Sequence, residues 1–233
     1  DVTTDDTGIK IVALADDIWS SVDGGASWSS AALKDTWQGV TSSARGSKVY
    51  AITKKGIFKS SDYGANWTEI NQFTFLNGTS VSKLNSEWKS IATDSAGEII
   101  YAVNNGVWKS NDTNAFHQLS SSETWTSVVT NCDGSNVLVG SPNETWVSSN
   151  AENSFHRTSV AGDSYAMSCD GTKLFAASRD GPIWVSNGST WEMSEDRRGW
   201  TSIACNERCT SMVALEANGN LWKHGPINRE VQI

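Results

Sequence analysis

No stretch of this chain approaches the roughly 18 consecutive apolar residues that a membrane-spanning helix needs, so insertion into a bilayer is not expected. Basic residues are also in short supply. The 233 residues hold 18 Lys and Arg against 26 Asp and Glu, a formal charge of −8. Nucleic acids and anionic membranes both reward clustered Lys and Arg, so neither is expected as the main partner. Histidine occurs only 3 times. His117 and His156 follow Phe116 and Phe155 in separate parts of the chain, and neither is placed to complete a zinc set with the closely spaced Cys205 and Cys209. No metal and no cofactor is expected.

Cysteine is limited to 4 residues. Cys132 and Cys169 both sit in Cys-Asp-Gly, at the same place in successive repeats, while Cys205 and Cys209 flank one short turn. Two disulfides, Cys132–Cys169 and Cys205–Cys209, would imply an oxidising compartment; four buried reduced thiols are the alternative. The start at Asp1, without Met or an apolar leader, fits a processed mature form. Together these features set the expectation of a secreted or extracellular protein.

Tryptophan, by contrast, is plentiful at 12 residues, and its spacing organises the chain. The aromatics Trp19, Phe58, Trp108, Trp146, Trp184 and Trp222 follow one another at steps of 39, 50, 38, 38 and 38 residues. Two positions after each comes Ser21, Ser60, Ser110, Ser148, Ser186 or, in the last copy, His224. A period near 40 residues is the length of a four-stranded propeller blade. The sequence therefore predicts an all-β, six-bladed β-propeller with four antiparallel strands per blade, in one domain over 1–233. The blades are expected at about 1–33, 34–70, 85–120, 121–158, 162–194 and 197–233, with an insertion at 71–84.

One repeat shows the pattern. Trp88-Lys-Ser-Ile-Ala-Thr93 alternates as a first strand and ends at Asp94-Ser-Ala-Gly97. Ile99-Ile-Tyr-Ala-Val103 is a nearly continuous apolar second strand, Asn104-Asn-Gly106 a hairpin turn, and Val107-Trp-Lys-Ser110 a third strand. A short fourth strand lies near Phe116–Leu119. The first repeat starts late, because Val2-Thr-Thr aligns with Val40-Thr-Ser, so the last strand around Glu230–Ile233 is expected beside the first blade.

Ser21-Val-Asp23-Gly-Gly25-Ala-Ser-Trp28 and Ser60-Ser-Asp62-Tyr-Gly64-Ala-Asn-Trp67 resemble the Asp-box of the bacterial neuraminidase repeat, Ser-x-Asp-x-Gly-x-x-Trp. The physical logic is local: the carboxylate accepts turn amides, Gly takes a positive φ, and Trp staples the hairpin. Asp23 and Asp62 are thus turn residues and not catalytic acids. Later copies decay, with Ser148, Asn150 and Phe155 keeping only an outline. The other half of the unit, Trp-x-x-Ile/Val followed by Val-Tyr-Ala-Val, Gly and Val-Trp, is similar to the tectonin repeat, although that repeat has no Asp-box. The resemblance implies a carbohydrate-binding propeller.

In propellers of the sialidase type the ligand face lies opposite the Asp-boxes. On that side an acid precedes each aromatic that opens an inner strand: Asp35 before Trp37, Glu87 before Trp88, Glu123 before Trp125, Asp163 before Tyr165 and Asp196 before Trp200. Such a pair suits a neutral sugar, whose C–H face stacks on the ring while the acid accepts hydroxyl hydrogen bonds. Alternatively the aromatics pack between blades and the acids solvate the loops. The insertion carries Phe73, Phe75 and Leu76, an apolar tip that marks either a binding side, with a protein partner at Phe73–Leu76, or a plug over the channel. Five Asn-x-Ser/Thr sequences, at Asn66, Asn77, Asn111, Asn143 and Asn187, are no more than this composition produces by chance.

A sialidase needs three Arg around the substrate carboxylate, a Tyr–Glu nucleophile pair and an acid/base Asp. Arg179, Arg197 and Arg198 could meet near Tyr165, but they come from neighbouring blades, and no Arg-Ile-Pro stands near the start. The reading from sequence is a non-enzymatic lectin binding glycans or glycoconjugates through Asp35, Trp37, Glu87, Trp88, Glu123, Trp125, Asp163, Tyr165, Arg179, Asp196, Arg197 and Trp200. A protein-docking scaffold and a sialidase-like glycosidase are the alternatives.

Overall fold

The computed structural model describes residues 1–84, 86–112, 114–121, 124–141, 143–149, 154–188, 190–197, 199–224 and 231–232, with backbone alone at 194–197, 224 and 231–232. Among these residues there is no helix, and the strands form six sheets, each a propeller blade. Blade one comprises β1 (Val2–Thr4), β2 (Ile11–Leu14), β3 (Ile18–Ser21) and β4 (Ser29–Ser30). Blade two comprises β5 (Trp37–Ser42), β6 (Val49–Thr53), β7 (Ile57–Ser60) and β8 (Thr68–Ile70). The insertion supplies β9 (Gln72–Thr74) and β10 (Ser80–Val81), and blade three β11 (Ser90–Thr93), β12 (Ile100–Val103), β13 (Val107–Ser110) and β14 (Ala115–Ser120). These three blades fall in one compact unit, Asp1–Trp125.

The second unit, Thr126–Ile233, holds the other three blades. Blade four comprises β15 (Ser127–Thr130), β16 (Val137–Ser141), β17 (Glu144–Ser148) and β18 (His156–Arg157). Blade five comprises β19 (Ser164–Met167), β20 (Leu174–Ala177), β21 (Pro182–Ser186) and β22 (Trp191–Arg197). Blade six comprises β23 (Trp200–Cys205), β24 (Met212–Glu216), β25 (Leu221–His224) and β26 (Val231–Gln232). β26 pairs with β25 as the outer strand of its own blade, while Glu230 and Ile233 lie outside the described residues.

The repeat is visible in the register. Opposite the third-strand aromatics Trp19, Phe58, Trp108, Trp184 and Trp222 stand Ala13, Ala51, Ala102, Ala176 and Ala214, and opposite Trp146 stands Val139. A small cross-strand neighbour leaves room for a bulky ring on the same face. The second strands β6, β12, β16 and β20 are buried along their whole length, which is why their sequences are apolar without alternation.

The turn between first and second strands is the same object six times. It runs from Asp5, Ser43, Asp94, Asn131, Ser168 or Asn206 to the residue five positions on, and the first residue's N–H donates to the last one's carbonyl at 2.9–3.1 Å. The opening side chain also accepts N–H bonds from the turn's far end, for example Ile9 and Lys10 onto Asp5, Glu98 and Ile99 onto Asp94, and Thr210 and Ser211 onto Asn206. The fourth residue has positive φ and is Gly8, Gly46, Gly97, Gly134 or Gly171, but Cys209 in the sixth turn. The second residue links neighbouring turns: Asp6 N–H donates to Ala44 O, Ala44 to Ser95, Cys132 to Cys169, and Cys169 to Glu207. The Cys132–Cys169 disulfide therefore joins blades four and five at a position where other blades use a hydrogen bond alone, and Cys205–Cys209 closes the sixth turn. Of the two readings of the cysteines, the oxidised one holds.

The insertion is neither an apolar tip nor a plug. β9 pairs in parallel with β14, so blade three becomes a six-stranded sheet in the order β10-β9-β14-β13-β12-β11. Phe73 is buried against Trp88, Trp108 and Phe116, and Phe75 packs edge-on to Trp108. Leu76 alone of the three is exposed. Phe73 and Phe75 are here the mortar of an outer layer of blade three.

Candidate functional site

The acid–aromatic pairs are split across the protein surface. Trp37, Trp88, Trp125, Tyr165 and Trp200 keep only 9%, 1%, 3%, 5% and 1% of their surface, so no sugar ring can stack on them. Each of four wedges between blades: Trp37 packs with Val12 and Ile18 of blade one, Trp88 with Tyr50 and Ile52 of blade two, Tyr165 with Leu138 of blade four, and Trp200 with Ala166 and Ile183 of blade five. Tyr165 lies where Gly140 has no side chain, and its hydroxyl meets Thr145 Oγ1 at 2.8 Å and donates to Gly162 O at 2.6 Å. The stacking role expected for these rings does not fit their burial, and four of them serve interblade packing instead.

The acids remain outside. Asp35 accepts the Thr36 N–H at 2.6 Å, Glu87 pairs with Lys89 at 2.8 Å, and Asp163 accepts the Arg179 N–H at 2.6 Å. Arg179 itself is exposed. Glu123 and Arg198 lie outside the described residues, as do the side chains of Asp196 and Arg197 on β22. Asp17 and Asn104, turn residues on the same side, are spent internally. Asp17 accepts the Ile18 and Leu33 N–H groups and the Ser30 hydroxyl, and Asn104 Oδ1 accepts Trp108 Nε1–H at 2.9 Å. That side offers a shallow depression of about 490 Å³ beside Asn143 and Arg157, with no aromatic in its wall.

The opposite end, with the Ser-x-Asp-x-Gly-x-x-Trp hairpins, is better built. In the first, Ser21 Oγ donates to Asp23 Oδ1 at 2.8 Å and accepts the Gly25 N–H at 2.9 Å, Ser27 donates N–H and hydroxyl to Asp23 at 2.9 and 2.6 Å, and Trp28 Nε1–H closes on Gly25 O at 3.0 Å. The second repeats this with Ser60, Asp62, Gly64, Asn66 and Trp67 at 2.8, 2.9, 2.9, 2.7 and 2.9 Å. The bonds from Ser27 and Ser21 hold Asp23 down at about 2, and those from Asn66 and Ser60 keep Asp62 below its ordinary range. Both carboxylates work on their own turns.

One difference between the two hairpins stands out. Where the first hairpin has Gly24 at φ 71°, the second has Tyr63 at φ 64°. A bulky side chain in the left-handed region is a rare and costly choice. Tyr63 is 39% exposed, with Lys10 Nζ 4.9 Å above its ring centre. It forms one wall of a groove of about 210 Å³ between blades one and two, whose other wall is β3–β4. There Ser20 and Ser29 face each other in register, and their hydroxyls make no protein hydrogen bond among the described residues. Val22 adds an exposed apolar contact. The blade-two hairpin is fixed tightly against blade one, since a Cβ on Gly64 would come within 2.9 Å of Val12. An aromatic plate, unspent hydroxyls and a rigid wall in one small cleft are suited to a polyhydroxylated ring. Sequence reasoning missed Tyr63 because it stands inside a motif whose role is structural; the signal was an aromatic where the companion hairpin has Gly.

No protein-family model matches the chain, and no curated protein matches it in sequence. Among solved structures, an ancestral GH74 enzyme superposes over 100% of this chain with a TM-score of 0.70 and 15% identity, and the chain spans 37% of that enzyme's length. Likeness of this kind extends to 1403 solved chains, a breadth that speaks for the propeller fold and leaves function to the residues of the site.

Proposed function

We propose that the chain is a non-enzymatic glycan-binding propeller, a lectin of an oxidising extracellular environment, and that the groove between blades one and two holds the sugar. The observation that carries this reading is Tyr63, kept in a left-handed backbone conformation with its ring half-exposed beside the unspent hydroxyls of Ser20 and Ser29. The ring face not covered by Lys10 takes the C–H side of a pyranose, and the serines exchange hydrogen bonds with its hydroxyls. The site thus lies at the Asp-box end of the blades and not at the end where the acid–aromatic pairs stand. The likeness of the repeats to tectonin-type lectins supports the same substrate class.

Hydrolysis needs two carboxyl groups flanking the scissile bond. Asp62 is the one acid in the groove wall, and its oxygens already accept the Ser60 hydroxyl and the Asn66 amide groups. It has neither a partner acid there nor a proton to give near neutrality. This groove is therefore suited to binding a sugar and not to cleaving one.

A glycan array with the purified chain, alone and with competing free sugar, tests this. The expected result is competable binding to a related set of glycans that Tyr63→Ala reduces at least tenfold. A blank array at high protein concentration, or binding indifferent to Tyr63, overturns the assignment.

A further inference from the structure

The junction of blades four and five carries a second groove at the same place in the repeat, bordered by the outer strands of one blade and the third-to-fourth-strand hairpin of the next. It is larger, about 440 Å³ against about 210 Å³, and its chemistry is different. Its base is apolar, with half-buried Val147 and Met167, and its rim carries Asn136, His156, Thr172 and Asn187. No aromatic lines it. The His156 side chain is exposed on β18.

The walls of this groove are joined covalently as well as by hydrogen bonds. Asn136 closes the blade-four turn and Thr172 belongs to the blade-five turn, and the Cys132–Cys169 disulfide ties these turns together. The Cys132 N–H donates to Cys169 O at 3.0 Å, and Asn136 Nδ2 reaches Gly171 O at 3.5 Å. Gly171 has room for no side chain, because a Cβ would run into the Asn136 amide. A covalent tie beside a cleft fixes its width before a ligand arrives, which lowers the ordering cost of binding.

We infer that this groove is a second ligand site, for a sugar bearing an apolar substituent, either the methyl of a 6-deoxyhexose or the acetyl of an acetamido sugar. The substituent enters the Val147–Met167 base, and the sugar hydroxyls meet the Asn136, His156 and Asn187 rim. The inference rests on the reading of the protein as a lectin, but it concerns residues that the Tyr63 groove does not share. The chain then carries two unlike sites, one in each half of the sequence.

The chain has 3 Met, so methyl-labelled methionine gives a three-line spectrum in which Met167→Leu identifies one line. The full chain is titrated with a methyl hexoside, its 6-deoxy counterpart and its 2-acetamido counterpart. The expected result is a saturable shift of the Met167 line, with Met193 and Met212 still. One or both substituted sugars should bind at least fivefold tighter than the parent hexoside, which tells the methyl from the acetyl form. His156→Ala, at an exposed position, should weaken this titration at least threefold, and Tyr63→Ala should leave it unchanged. Cys132→Ser with Cys169→Ser should weaken it while array binding through Tyr63 persists. A Met167 line that stays still with all three sugars, or moves equally with the other methionines, overturns the second site. If Tyr63-dependent binding survives that result, the lectin reading stands without it.

Discussion

Lys59 Nζ and Asp112 Oδ1 lie 2.6 Å apart across the junction of blades two and three. Asp112 occupies, as Ser110-x-Asp112, the place that Asp23 and Asp62 hold in their hairpins, but its own hairpin lacks the Gly and Trp of the motif. Instead it pairs with Lys59 and with Lys48, also at 2.6 Å, and accepts the Tyr50 hydroxyl at 2.7 Å. Burial acts to raise the Asp112 carboxyl, and the bonds from Lys48, Lys59 and Tyr50 outweigh it, so the group titrates below its ordinary value. Burial and the neighbouring carboxylate push the Tyr50 phenol far up. Asp112→Asn takes the buried-side carboxylate from both lysines, leaving Lys48 only the longer Glu98 contact at 3.9 Å, and should destabilise the chain by about 1–3 kcal/mol in urea unfolding at neutral pH.

The same groups set the acid limit. A depressed carboxyl contributes stability above its unfolded value, and that contribution is lost as pH falls through the folded value. Asp23 and Asp170 are lowered from 3.8 to about 2 by hydrogen bonds from Ser27 and Ser168, and Asp17, Asp62 and Asp112 are lowered too. Thermal stability should be level down to about pH 4 and fall steeply from there towards pH 2. Asp112→Asn should show a shallower fall than the parent, measured by melting temperature against pH. An equal slope would remove Asp112 from the acid transition.

Tyr63 separates stability from binding. Relief of a left-handed side chain by glycine offsets the entropy that glycine adds to the unfolded chain, so Tyr63→Gly should change unfolding free energy by no more than about 1 kcal/mol. Its melting temperature should match or exceed that of the parent. Glycan binding in the groove should nonetheless fall at least tenfold.

How much of this could be read beforehand follows from the range of each interaction. The blades were legible because alternation, hairpin glycines and the aromatic-x-Ser step are local patterns imposed by strand geometry. Trp88 and Trp200 show the limit. An aromatic that opens a strand looks the same in sequence whether it meets solvent or wedges against the preceding blade, and only packing decides. The parallel pairing of β9 with β14 is likewise non-local, so Phe73 read as an exposed tip. The grooves lie between blades, where no single repeat writes the whole wall.

Phe73 and Leu76 should answer very differently to truncation. Phe73→Ala removes a ring buried among Trp88, Trp108 and Phe116 and should cost about 3–5 kcal/mol in denaturant unfolding. Leu76→Ala, at an exposed position, should stay within about 0.5 kcal/mol. Equal effects would contradict the layered arrangement of blade three.

The two disulfides close loops of unlike length, with sequence separations of 37 and 4. On the chain-entropy account, replacing Cys132 and Cys169 by Ser should cost about 3–4 kcal/mol, and replacing Cys205 and Cys209 clearly less. Urea midpoints of the two double variants, at unchanged slope, provide the comparison.

The added hairpin β9–β10 also bears on solubility. An outer strand offers unpaired backbone groups to other chains, and the offer grows with its length. In blades one, four and six the outer strand has only 2 residues, too short to template much. The longest outer strands are β14, with 6 residues, and β22, with 7. β22 carries the exposed Glu192, a charge of the kind that discourages a foreign strand. β14, Ala-Phe-His-Gln-Leu-Ser, has no such guard in its own sequence, and β9 lies along it in place of one. The fourteen or so residues between blades two and three thus act as a sheath against sticking.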